Sequence, residues 1–138
     1  MRGAIQAAFD GHLASFLVGN IAWENIGFKP VIGTAWLQPT LMPASSRVVS
    51  TGPTALVRHV GYYQITVFTP AAADTTPGAG DANILCDGLM DHFRPGTVLT
   101  AGGLSVEVTY AETSPAMTEP PWFSIPVFIG YRAHSYQP

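Results

Sequence analysis

At 138 residues the chain has the length of one ordinary domain, enough to bury one core and too short for two. Charged residues make up only 11% where about a quarter is usual, and six basic residues against nine acidic ones exclude a broad basic face for gripping nucleic-acid phosphates. The single cysteine, Cys86, excludes an internal disulfide and a multi-cysteine zinc site.

Sparse charge, combined with 12 prolines and 14 glycines, predicts a soluble chain that covers part of its surface with copies of itself or with a partner. Gln6, Asp10 and His12 break the apolar start, so no signal peptide is read there, and no run of about 18 apolar residues could span a membrane. The expectation is a protein made and folded in the cytoplasm.

From Arg2 to Val18, apolar side chains at Ile5, Ala8, Phe9, Leu13, Phe16 and Leu17 fall at helical spacing. Its polar face lacks the Lys and Arg of a membrane-surface helix, so the stripe is read as core packing. Gly19-Asn20 supplies the stop. Asn20 to Pro30 reads as a short strand or ordered loop, and Thr34 to Leu41 as a strand with Pro39 in an edge position. Met42 to Leu56 shows no sustained period and has turn residues on both sides of Val48-Val49, which predicts a long, partly mobile hairpin arm.

His59 to Thr69 is the clearest strand: Tyr63, Ile65 and Val67 alternate with Tyr62, Gln64, Thr66 and Phe68. Both of its faces are apolar or aromatic, which predicts a helix over one and the arm or another subunit over the other. After a loop at Pro70 to Pro77, Ala82, Leu85, Cys86, Leu89, Met90 and Phe93 mark a second helix, ended by Arg94-Pro95-Gly96. A short strand near Val98-Leu99 turns at Gly102-Gly103 into an alternating strand from Leu104 to Tyr110. Ala111 to Pro121 reads as a loop, and Trp122 to Arg132 as a last strand that Pro126 should place at an edge or bulge. The economical architecture is an α+β two-layer domain over residues 1–138. It has a mostly antiparallel sheet of three to five strands, two helices packed on one face, and an arm at about 42–57.

The string DTTPGAGDANILCDGL, Asp74 to Leu89, resembles the Gly-Ala-Gly-Asp loop of ribokinase-type sugar kinases, in which a helix N-terminus holds phosphate and the Asp acts as base. Such a kinase needs a strand-helix alternation that the upstream chain does not offer, and Pro77 interrupts the string. The favoured reading is that Gly78 and Gly80 shape a loop and Asp81 caps the second helix. His12, His59, His92 and His134 stand at no zinc-like spacing, and Cys86 lies on the apolar stripe without a base. No catalytic, metal or cofactor residue is therefore assigned.

The ordered segments carry a resemblance that no single motif does. They are the amphipathic first helix, AWENIGFKP with Trp23, Asn25, Phe28 and Pro30, the Pro-rich arm, and GYYQITVFTP with Gly61, Tyr63, Gln64 and Val67. Phe93 then closes the second helix, and WFSIPVFIGYR carries Trp122, Pro126, Val127 and Arg132. Together they resemble the tail terminator proteins of long-tailed bacteriophages, although Glu24 stands where relatives often have Pro. The resemblance implies a non-enzymatic virion protein without cofactors, a hexameric ring at the head-proximal end of the tail. Such a ring caps the tail tube, ends its polymerisation and meets a head-side neck or connector protein, while DNA passes through without specific binding. Interface candidates are Arg47, Val48 and Val49 in the arm, Arg58 at its return, and Trp36 and Tyr62 near its base. Two rival readings stay open: another neck or head-tail connector component, and a small phosphate-ligand-binding or phosphotransfer domain using residues 78–81.

Overall fold

A computed structural model describes residues 2–16, 21–24, 27, 29, 35–48, 55–70, 79–101, 104–119 and 122–137. The elements run α1 (Arg2–Phe16), β1 (Trp36–Val48), β2 (Ala55–Pro70), α2 (Ala79–His92), β3 (Val98–Ala101), β4 (Leu104–Thr113), β5 (Met117–Glu119) and β6 (Trp122–Gln137). All strand pairs within the sheet are antiparallel, in the order β1-β2-β6-β4-β3, with β5 paired to β6 beyond the end of β4. The architecture is α+β with both helices on one face of a five-strand antiparallel path, as expected, and the short β5 adds a sixth strand off that path.

The core lies between the helices and the inner face of this sheet. Ile5, Ala8, Phe9 and Leu13 of α1 and Ala82, Cys86 and Leu89 of α2, followed by Phe93, are buried against Leu37, Tyr63, Ile65, Val106, Val108, Ile129 and Tyr131. Phe9 is the hub: its ring stacks on Tyr63 at 4.8 Å, lies 6.0 Å from Phe93 and 5.5 Å from Tyr131. Each fully buried aromatic or aliphatic side chain here contributes about 1.5–3 kcal/mol by leaving water. The histidines that are far apart in sequence are not all apart in space. His12 and His92 stack at 3.9 Å, and each ring Nε2–H donates to the other's backbone carbonyl at 2.7 Å, tying together the C-terminal ends of α1 and α2.

Prolines decide where strands can lie, and two of them do so differently. Leu37 accepts a bond from Ala22 N at 2.7 Å on the outer edge of β1, and Leu41 N donates on that side to the Glu24 carboxylate at 3.1 Å. Pro39, midway between them, therefore turns its missing N–H away from β2, and β1 is an edge strand as expected. Pro126 meets the second half of its expectation of an edge or a bulge: β6 is the central strand, flanked by β2 and by β4 and β5, but between Thr113↔Val127 and Met117↔Ser124 three residues stand opposite two, an irregularity that falls at the proline. The carbonyl of Pro126 accepts from Ser114 N at 3.0 Å, so its absent N–H also faces that side, where residues 114–116 leave the gap between β4 and β5. A local break in one neighbour accommodates the proline without making the whole strand an edge.

Three boundaries also differ from expectation. The arm is a regular continuation of β1 and β2 up to Val48 and from Ala55, with a register shift between Pro43 and Ser45. One extra residue flips the side-chain alternation, which is why no period is visible in the sequence. A second shift, between Val108 and Tyr110, hides the last part of β4, so the expected loop at 111–121 begins as strand and contains β5. The last strand runs five residues past Arg132, to Gln137, along β2. At the end of α2 the expected stop is confirmed: Arg94 to Thr97 form a turn closed by Thr97 N to Arg94 O at 3.1 Å, with Pro95 second and Gly96 at φ 93° third, a type II turn.

Candidate subunit interface

The second face of the sheet points away from both helices. The β2 alternation places Tyr62, Gln64, Thr66 and Phe68 there, and the register with β1 and β6 adds Trp36, Met42, Trp122, Phe128 and Arg132. Among the described residues several of these side chains pack sideways on one another. Trp36 stacks on Phe68 at 4.0 Å with planes 6° apart and meets Trp122 edge-on at 5.8 Å, while Tyr62 meets Phe128 edge-on at 5.3 Å. Tyr110 of β4 lies flat over Gly130, and a Cβ at residue 130 would fall inside its ring, so glycine is required for this close approach. Burial, and then Glu112, push the Tyr110 phenol up from its ordinary value, which keeps it protonated as a hydrogen-bond donor.

Polar groups collect toward the arm. Arg58 is exposed and its Nε donates to His134 Nε2 at 3.1 Å, and Arg132 is ion-paired with Glu107 at 2.9 Å. Of the six sequence candidates, Trp36, Arg58 and Tyr62 share this outer face. Trp36 is six residues of strand from the partner of Tyr62, about 20 Å away, so the two mark opposite ends of the face and not one contact. Arg47 pairs in register with Arg58; Val48 ends β1 with an exposed side chain, and Val49 lies outside the described residues. Phe68 was placed on this face by the β2 alternation but not among the six candidates, and Tyr110, Trp122, Phe128 and Arg132 belong to the face and were missed. Applying to β6 the alternation used for β2 would have found Trp122, Phe128 and Arg132; the register shift in β4 concealed Tyr110.

Of the kinase-like string, residues 74–78, Gly78 among them, lie outside the described residues. The helix α2 already begins at Ala79, which makes Asp81 its third residue and not its cap. Cys86 is buried, and burial followed by Asp87 pushes its thiol up to about 11, so it remains an unreactive core thiol at neutral pH.

A family model described as phage tail terminator protein matches residues 4–131. The chain belongs to the phage tail terminator family. It is therefore a structural, non-enzymatic component of a virion tail, and the phosphotransfer reading falls. One solved chain aligns with all of this chain and 98% of its own length, at 25% identity and a TM-score of 0.74. A chain from a structure titled as the virion of a native gene transfer agent particle shares the fold at 20% identity and a TM-score of 0.54, with 97% of each chain covered. No curated protein matches.

Proposed function

We propose that this tail terminator closes into a ring of its own copies, a hexamer, on the last ring of the tail tube. There it ends tube polymerisation, at the head-proximal end, and presents its far surface to a head-side neck or connector protein. The observation that carries this reading is the outer sheet face, where, among the described residues, Trp36, Tyr62, Phe68, Trp122 and Phe128 pack sideways on one another with no helix over them, on a chain with few charges. The arm, as a two-stranded extension of β1 and β2, is placed to clasp a neighbour across a subunit boundary. The lumen passes DNA without specific binding, in keeping with a net charge of -3 and a single lysine, and the protein is made in the cytoplasm of the bacterial host.

The test mixes the purified chain with polymerising tail-tube protein of the same phage and images the products. Tubes of limited length with a ring at one end are expected. Tubes of unaltered length, with the chain instead bound to connector rings, would move it to the neck.

A further inference from the structure

The outer face holds a groove of ≈ 430 Å³ near the base of the arm, bounded by Arg58 and Arg132 and walled by Val60, Tyr62 and Tyr110. Its charge is incompletely answered within the chain. Arg58 reaches only the His134 ring and has no carboxylate partner among the described residues. Arg132 spends one amino group on Glu107, while its Nε–H is buried without a hydrogen-bond partner among the described residues. Glu112 sits at the Tyr110 rim but is not part of the lining.

A complementary surface lies on the opposite side of the same domain. The outward stripe of α2 carries Ile84, Asp87 and Asp91, spaced three and four apart on one helical face. Ile84 is 71% exposed, a large apolar side chain with no cover; Asp87 is exposed without an ion pair among the described residues, and Asp91 pairs with Arg94 at 2.7 Å. An apolar side chain beside carboxylates is what a groove walled by two tyrosines and bounded by two guanidinium groups would receive.

We infer that the α2 stripe of one copy seats in the Arg58–Arg132 groove of the next, with Ile84 against the tyrosines and Asp87 facing Arg58. This inference rests on the ring reading above and deepens it. Because the helices and the groove occupy opposite faces of a two-layer domain, the contact joins two different surfaces. A heterologous contact of that kind propagates head to tail and closes into a ring when its rotation allows.

Charge reversal tests it. Arg58→Glu sets carboxylate against carboxylate and Asp87→Arg sets guanidinium against guanidinium, so each variant alone should cap tubes at least about tenfold less effectively than the wild type. In an equimolar mixture the two variants can alternate around the ring. Each introduced carboxylate then faces an introduced guanidinium, each unchanged Arg58 faces an unchanged Asp87, and wild-type capping should return. Two misfolded proteins could not rescue each other, and thermal melts of each variant serve as a check. Unimpaired single variants beside a wild-type chain that caps would overturn this contact and leave the ring reading standing. Loss in Arg58→Glu that the mixture does not repair would assign Arg58 to another partner, such as DNA, and also overturn it. A wild-type chain that leaves tubes unaltered would overturn the ring reading, and this inference with it.

Discussion

The two faces of one sheet carry similar side chains and meet different fates. On the inner face Tyr63, Ile65 and Val67 are buried beneath two helices, and on the outer face their sequence neighbours Tyr62, Gln64, Thr66 and Phe68 are only half covered, by lateral neighbours. Aromatic content therefore does not distinguish core from interface in this chain. What distinguishes them among the described residues is whether a helix supplies a second layer. An aromatic strand face without one is maintained at a cost in solubility, which is offset when another molecule covers it.

The strongest way to sharpen that comparison is to truncate one aromatic on each face. Phe9→Ala removes the ring on which Tyr63, Phe93 and Tyr131 converge, and should cost about 3–5 kcal/mol in urea unfolding. A loss below about 1 kcal/mol would mean that the inner face is not the core. On the outer face Gly130→Ala forces Tyr110 off its seat, a steric conflict of about 1–3 kcal/mol. Pairing it with Tyr110→Ala should return most of that loss, whereas additive losses would show that the ring was not the obstacle.

The inner face was legible in the sequence because it obeys a simple period. Offsets of three and four in α1 and α2 and of two in β2 each point to a single buried stripe, and the fold keeps nearly every residue so assigned. The outer face was legible only on β2. Where one inserted residue shifts the register, after Pro43 and before Tyr110, the alternation inverts and strand reads as loop. Pro126 left an edge and a bulge both open: a proline excludes one hydrogen bond on one side, and the irregular break between β4 and β5 lies on that side of a strand that is otherwise central. Arg58 and Arg132 come together only through the β2–β6 register, which no local pattern encodes.

A titrating pair separates the faces by pH. The Tyr63 hydroxyl donates to the Asp10 carboxylate under α1; burial and this bond push the phenol up, so it stays the donor. Burial is also the largest influence on Asp10 and raises its carboxyl above the ordinary 3.8, with the Tyr63 bond opposing and Glu24 reinforcing the rise. Between 3.8 and the raised value the folded chain holds a proton that the unfolded chain has lost, so this group's contribution to stability falls as pH rises through that window. Asp10→Asn should remove that descent in a series of melts across acid pH. Tyr63→Phe should cost about 1–3 kcal/mol at neutral pH, where it leaves the half-buried carboxylate without this donor, and should move the descent to higher pH. A descent at the same pH in both variants would assign it to other carboxylates.

The smallest expected effect on the isolated chain is the one that bears most on function. Tyr62→Ser removes a half-exposed ring that meets Phe128 face to edge, so its stability cost should stay near or below about 1 kcal/mol. If the outer face is where copies meet, the same substitution should strongly reduce tube capping, because a half-exposed aromatic becomes fully buried only in the assembly. The diagnostic is the inverse order of two measurements. Phe9→Ala should rank first in lost stability, Tyr62→Ser should lose capping at a temperature where its melt is nearly unchanged, and normal capping by Tyr62→Ser would mean that this end of the outer face is left uncovered in the virion.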